Sequence, residues 1–157
     1  MKVISIVLLS CLLLAGCAGT SLRVNAPYQP TAGQKFTFDI VNKEKMSDQG
    51  LTIMRERLKN QLEASGLLAA NASESSRTVE ITIDNYYMRH GATRATVGVM
   101  AGADKILTTI VVKEGKTQGV LSRFTVYSKN PTAWGTSQGM IEEHADKIVD
   151  YLKSGRR

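Results

Sequence analysis

Few residues of this chain could carry out catalysis, and their spacing argues against an active site. The two histidines are His90 and His144. The residues four positions from His144 on a helix are Met140 and Ile148, and neither binds metals. We therefore interpret His144 as marking the edge of a solvated helix face. The sequence also has no nucleophile elbow and no phosphate-binding loop. It predicts no enzymatic activity, no metal and no cofactor.

Cys17 is the side chain with a clear reaction to perform. It follows Lys2, an apolar run over residues 3–14 and two small residues, which is the layout of a secretion signal. The sequence Leu14-Ala15-Gly16-Cys17 resembles the lipobox of bacterial lipoproteins. That resemblance implies a diacylglycerol thioether on Cys17, cleavage between Gly16 and Cys17, and acylation of the new amine. Residues 1–16 are then a signal peptide.

The predicted anchor is lipid rather than a membrane-spanning helix. The apolar run is shorter than the ~20 residues a spanning helix needs, whereas two or more acyl chains hold a protein stably. By resemblance to the sorting rule of Gram-negative lipoproteins, Ala18 after the cysteine predicts the outer membrane, with the protein facing the periplasm. Cys11 leaves with the signal, so the mature chain forms no internal disulfide.

Composition indicates one globular domain with a basic surface. Loss of Lys2 with the signal lowers the net charge from +6 to +5. This charge suits phosphate-rich lipid surfaces, although a solubilising surface charge is the favoured explanation. The compartment excludes nucleic acid as a partner. We expect an envelope protein or a glycolipid as partner, and the oligomeric state is left open.

The elements that position these residues follow from hydrophobic periodicity. Residues 17–34, rich in Pro and Gly, are predicted to be a lipidated flexible tether, and residues 35–157 a single α+β domain. Strands are predicted over residues 35–41, 77–89, 106–112 and 120–127, and helices over 49–65 and from about 137 to Gly155. The expected fold is a four-stranded, largely antiparallel sheet with two helices on one face, in the order β-α-β-β-β-α.

The segment from residue 90 to residue 104 fits no periodic pattern. It is apolar and rich in small residues, and Gly98 and Gly102 have a spacing that permits close helix contact. Either this segment contacts lipid or a partner together with Arg89 and Arg94, or it is a long connection between two strands. Trp134 also has two interpretations. If it is exposed, it is an anchor for a partner, and if it is buried, it fills the end of the sheet.

The sequence Arg94-Ala95-Thr96-Val97-Gly98-Val99-Met100-Ala101-Gly102-Ala103-Asp104 and the strand after it are similar to a segment of an uncharacterised family of small bacterial lipoproteins. The element order also resembles YajG-type lipoproteins and, in architecture alone, the lipoprotein of the lipopolysaccharide translocon. These resemblances imply a non-enzymatic accessory or binding subunit of the cell envelope. The alternative is a protein that binds or carries anionic lipid or lipopolysaccharide, and an envelope hydrolase is the third hypothesis.

Overall fold

Strands and helices succeed one another in the order expected of an α+β domain. The computed structural model describes residues 18–70, 76–89, 102–131 and 135–156. Within them the elements are β1 (Gly19–Ala26), β2 (Lys35–Asn42), α1 (Asp48–Ala64), β3 (Ser76–Tyr87), β4 (Asp104–Glu114), β5 (Val120–Asn130) and α2 (Ser137–Ser154). The predicted fold class is confirmed, and the predicted strand number is wrong by one.

The strands form one mixed sheet in the order β1-β5-β4-β3-β2. Three pairings are antiparallel, and the pairing of β2 with β3 is parallel because α1 crosses over between them. The sequence predicted a largely antiparallel sheet, which holds for every pair except this one. The strand that is apolar on both faces, β4, is central as expected.

The prediction of a flexible tether over residues 17–34 is wrong for Gly19–Ala26. This stretch is an edge strand whose Leu22 and Val24 lie beside Val126 and Phe124 of β5. Both side chains pack against the hydrophobic core. Two apolar residues among polar ones give too weak an alternation to identify a strand, so long-range pairing with β5 decides the structure.

The residues between β1 and β2 are also fixed to the domain. Tyr28 is 3% exposed, and its backbone N–H donates to the hydroxyl of Tyr151 at 3.0 Å. The guanidinium of Arg77 donates to the Tyr28 hydroxyl at 2.6 Å and to Oε1 of Gln34 at 2.7 Å. Burial of Tyr28 and these hydrogen bonds hold the segment between β1 and β2 against the core. This segment is therefore not a flexible tether.

Both helices begin and end at capping residues. Ser47 caps α1 and Thr136 caps α2, each accepting from a backbone N–H three residues on. After α1, Gly66 has φ +65° and Leu67 donates to the carbonyl of Leu62, which is a Schellman stop. Gly155 ends α2 in the left-handed conformation.

The hydrophobic core lies between the two helices and one face of the sheet. Buried side chains alternate along the strands and recur at helical spacing on α1 and α2. Its largest fully buried members are Phe36, Met54, Leu58, Leu62, Ile81, Ile83, Ile106, Ile110, Phe124, Ile141, Ile148 and Tyr151. The other sheet face carries no helix among the described residues, although Val111 and Thr82 near its centre are buried.

Candidate functional site

The two halves of the uncovered sheet face differ in charge. On β1, β5 and β4 this face carries cations and, among the described residues, no acidic side chain. The cations are Arg23, Arg123, Lys129, Lys105 and Lys113. On β3 and β2 the same face carries Glu80 and Asp39, which are register partners, and also Lys35 at the start of β2, whose Nζ donates to the carbonyl oxygen of Gly66. The β1-β5-β4 half is therefore positive, and the two carboxylates lie on the other half.

One ion pair marks the boundary between these halves. Lys113 on β4 donates to Glu80 on β3 at 2.8 Å, with both side chains partly exposed. An exposed pair of this kind adds about 1 kcal/mol or less to stability. Asp39 lies one strand further out, at the edge of the sheet, and is exposed. The face can thus offer the Asp39 carboxylate near one edge and cations near the other to a charged partner.

The end of the sheet where β1 begins carries a short row of exposed side chains. Gly19 is the register partner of Lys129, Lys129 of Lys105, and Lys105 of Tyr87. Tyr87 is 49% exposed, as expected if the two adjacent tyrosines face opposite sides of the sheet. Lys129, Lys105 and Tyr87 therefore lie in the same row of the sheet as Gly19. Gly19 is the first residue of β1 and directly follows Ala18.

A cleft of about 280 Å³ opens at the same end, between the start of β1 and the first turn of α2. Ligand sites usually enclose about 300–1,000 Å³, so this cleft lies at the lower limit. Its lining residues are Ala18, Gly19, Thr20, Lys129, Asn130, Gly135, Thr136, Gly139, Met140 and Glu143. Within this lining, Thr136 is the N-cap of α2, and its hydroxyl accepts from the backbone N–H of Gly139.

Arg89, expected to contact lipid or a partner, is instead buried beneath this end of the sheet. Its guanidinium lies 3.1 Å from the carboxylate of Asp104 and donates to the carbonyl oxygen of Asn130 at 3.0 Å. The Arg89 backbone N–H donates to the same carboxylate at 2.8 Å. The residue ties the end of β3 to the start of β4 and the end of β5, and in this position it presents no charge to a lipid surface.

His144 is fully buried, and the interpretation that it marks a solvated edge is wrong. Its two ring nitrogens hydrogen-bond to Ser128 at 2.7 Å and to Thr108 at 2.8 Å, and Ser128 also bonds to Thr20 at 2.8 Å. Burial lowers the pKa of His144 to about 3, so the ring is neutral at physiological pH. Its neighbours give it no access to a substrate.

The His144 network connects α2 to the central strand and to the edge strand β1. The sequence contained a signal for it, because Thr108 and Ser128 occupy inward positions of their strands where apolar residues are expected. Only the register between β1, β5 and β4 brings these polar groups to the same imidazole. Sequence reasoning therefore missed this network.

The remaining predicted contact residues are only partly within the described ranges. Gly102 is exposed just before β4 and has φ +85°, which favours glycine. The signal peptide, Gly16, Cys17, Arg94, Gly98 and Trp134 lie outside the described residues. In the ranges that the structure does describe, no cluster of three metal-binding side chains occurs. None of the helices described there is long and apolar enough to cross a bilayer.

Comparison with known proteins identifies a family. The model for Domain of unknown function (DUF4410) matches residues 39–133. A search among proteins of curated function finds no significant match.

Solved structures share the fold. A PelC dodecamer from Paraburkholderia phytofirmans with one substitution has a TM-score of 0.64 and 13% identity, covering 88% of this chain and 100% of that one. A second PelC dodecamer from that organism has a TM-score of 0.61 and 12% identity with the same coverage. A candidate lipoprotein from Caulobacter crescentus reaches 0.43 at 15% identity over 74% of this chain and 87% of its own, too low to support any argument.

Proposed function

We propose that this chain, which belongs to the DUF4410 family, is a lipid-anchored, non-enzymatic accessory or binding subunit of the bacterial cell envelope. The supporting observation is that β1 begins at Gly19, two residues after the lipobox cysteine. Two residues span at most about 7 Å. Acyl chains on Cys17 would therefore hold the β1-start end of the sheet directly against the bilayer.

The proposed location is the outer membrane, with the domain facing the periplasm. It rests on Ala18 at the position that sorts lipoproteins, as argued from the sequence. Lys105 and Lys129 lie in the first row of the sheet beside Gly19. Lysines at this level would be close to lipid phosphates, where each contributes about 1 kcal/mol at an anionic surface. The strands would then run away from the membrane.

We propose binding rather than catalysis because the polar side chains Arg89, Asp104 and His144 are buried and hydrogen-bonded to other residues of the domain. The Arg89–Asp104 pair joins three strands at one end of the sheet. The imidazole of His144 is enclosed by hydroxyl groups and held neutral. The surface available for recognition is the uncovered sheet face with its two charged halves, which suits protein contact.

We also propose that the protein acts as a homo-oligomer. The PelC structures that share its fold are dodecamers. The sheet of this chain has two edge strands, β1 on one side and β2 on the other. A membrane anchor at one end of the sheet would gather copies in a plane with their edges facing one another.

The anchor is tested by replacing Cys17 with Ser and separating membranes from soluble fractions. We expect the variant to keep its signal peptide and to lose the acyl chains. The matched control is Cys11→Ser, which changes the other cysteine and should be processed and lipidated normally. Processing and membrane retention of Cys17→Ser equal to those of the control would contradict the proposal.

A second candidate function is binding of anionic lipid or lipopolysaccharide, which Lys105 and Lys129 favour. The test is flotation of residues 18–157, produced without the signal peptide and Cys17, with phosphatidylglycerol vesicles and with phosphatidylcholine vesicles. The candidate requires salt-sensitive binding to the former that Lys105→Glu with Lys129→Glu abolishes and Lys59→Glu on α1 leaves intact. Equal flotation with both lipids would exclude it.

A further inference from the structure

We propose that copies of this chain associate side by side, with β1 of one copy against β2 of the next and Asp39 of the second copy near Arg23 and Arg123 of the first. This inference rests on the self-association proposed above and adds the surfaces that perform it. The partner is a second copy of the chain, and the supporting property is charge complementarity between opposite edges of one sheet.

Among the described residues, no strand is paired to the outer edge of β1 or to the outer edge of β2 over the part that would meet. β1 is the first strand in the sheet order and β2 the last. In the described part of the chain, Phe36 is the β2 residue whose backbone is hydrogen-bonded on the outer side of the strand. Its partners are Leu67 and Ala69, on either side of Leu68. From Phe38 to Asn42 this edge faces outward, and an open strand edge is a template for another strand.

Asp39 at the β2 edge is opposite in charge to Arg23 and Arg123 near the β1 edge, on the same sheet face. All three side chains are exposed, and Lys35, which is also on β2, lies four residues before Asp39. The Lys113–Glu80 pair already joins a cation and a carboxylate of this face within one copy, at 2.8 Å. A contact between copies would repeat that combination, because it places Arg23 and Arg123 of one copy beside Asp39 of the next.

The strand register sets these charges at matching heights. One row across the sheet runs from Arg23 through Thr125, Thr109 and Thr82 to Val41. The next row runs from Arg123 through Val111 and Glu80 to Asp39. When all copies stand the same way up, Asp39 of a neighbour is level with Arg123 and one row from Arg23.

A shared membrane would impose this common orientation, since every copy would be attached at the start of β1. The pairings make β1 antiparallel to β2, so β1 of one copy would meet β2 of its neighbour as an antiparallel pair. The contact is heterologous and therefore generates a ring or an open row. Pairing β1 with β1 would bring Arg23 against Arg23 and invert one copy.

The experiment measures the size of the full-length protein extracted from membranes in a mild detergent, by sedimentation with light scattering. Two variants reverse one edge each, Arg23→Glu with Arg123→Glu, and Asp39→Lys. Each should weaken assembly at least tenfold and give single copies. The variant that carries all three substitutions should recover the wild-type size, since each edge then meets its complement again.

Matched controls reverse charges on α1, away from the sheet face, with Lys59→Glu and Glu56→Lys, and should keep the wild-type size. Circular dichroism checks that every variant is folded. Assembly that survives both edge reversals, or that the triple variant fails to restore, overturns the proposed interface. A wild-type protein that is a single copy overturns the proposed self-association as well and leaves the lipid-anchor proposal standing.

Discussion

Arg89 and Asp104 form an ion pair that is completely shielded from solvent. The Nε of Arg89 lies 3.1 Å from Oδ1 of Asp104, and both side chains have 0% exposure. Arg89 follows the end of β3 and Asp104 begins β4, so the pair joins these two strands at one end of the sheet. The pair therefore has a structural role at the end of the domain where β1 begins.

Removing the negative charge of this pair should strongly destabilise the fold. Asp104→Asn would remove the carboxylate from a buried ion pair, which costs about 3–5 kcal/mol. The comparison is Arg57→Ala, which breaks the exposed pair with Asp146 (2.7 Å) and should cost about 1 kcal/mol or less. Urea unfolding measures both, and equal losses would show that the buried pair is not needed for stability.

Gly155 should tolerate no side chain. It has φ +63°, and a Cβ built there would lie 2.5 Å from the carbonyl oxygen of Tyr28. Gly66, with φ +65° and nothing within 4 Å, is the matched control for the backbone conformation alone. Gly66→Ala should lower the free energy of unfolding by about 1–2 kcal/mol. Gly155→Ala should lower it by clearly more, because the clash adds to the same strain, and a smaller or equal loss would contradict this packing.

The buried His144 should make the protein less stable in mild acid. Its pKa is lowered to about 3 in the fold and is near 6.5 in the unfolded chain, so only the unfolded chain binds a proton between these values. Stability conferred by the neutral ring is therefore complete above pH 6.5 and is lost as the pH falls, by up to about 1.4 kcal/mol per pH unit.

Urea unfolding between pH 7 and pH 5 tests this dependence with little contribution from carboxylates. The wild-type free energy of unfolding should fall over this range, and that of His144→Gln should stay nearly level, whatever its value at pH 7. An identical slope for the two proteins would mean that another group is responsible.

Val24 tests whether residues 19–26 are a strand or a tether. Its side chain packs against the core, so Val24→Asp should lower the free energy of unfolding by about 2 kcal/mol or more. Ser21→Asp places the same charge on the exposed face of the same strand and should change it by about 0.5 kcal/mol or less. No effect of either substitution would indicate that this stretch does not pack on the domain.

Sequence predicted those parts of the fold that depend on local signals. Met54, Leu58 and Leu62 recur at helical spacing along α1, and Gly66 follows its end. Val79, Ile81 and Ile83 alternate with polar residues along β3. In each case the hydrophobic periodicity and the residues that end the element lie within one short segment of the sequence.

The features that sequence reasoning missed depend on contacts between distant residues. β1 exists because β5 offers it a hydrogen-bonding edge more than a hundred positions away, and only Leu22 and Val24 mark its inward face. Arg89 was expected at the surface because a lone arginine usually lies there, and Asp104 is brought to it by the register of β4. Charge separation on the open face is likewise visible once the strand order is known.

The most direct test of the account is the chemical state of the N-terminus in the protein recovered from membranes. Peptide mass spectrometry after proteolysis should find a first residue Cys17 that carries a diacylglyceryl thioether and an acylated amine, followed by the β1 sequence. A chain that retains residues 1–16, or one whose Cys17 is a free thiol, would contradict the lipid anchor and with it the orientation of the domain at the bilayer.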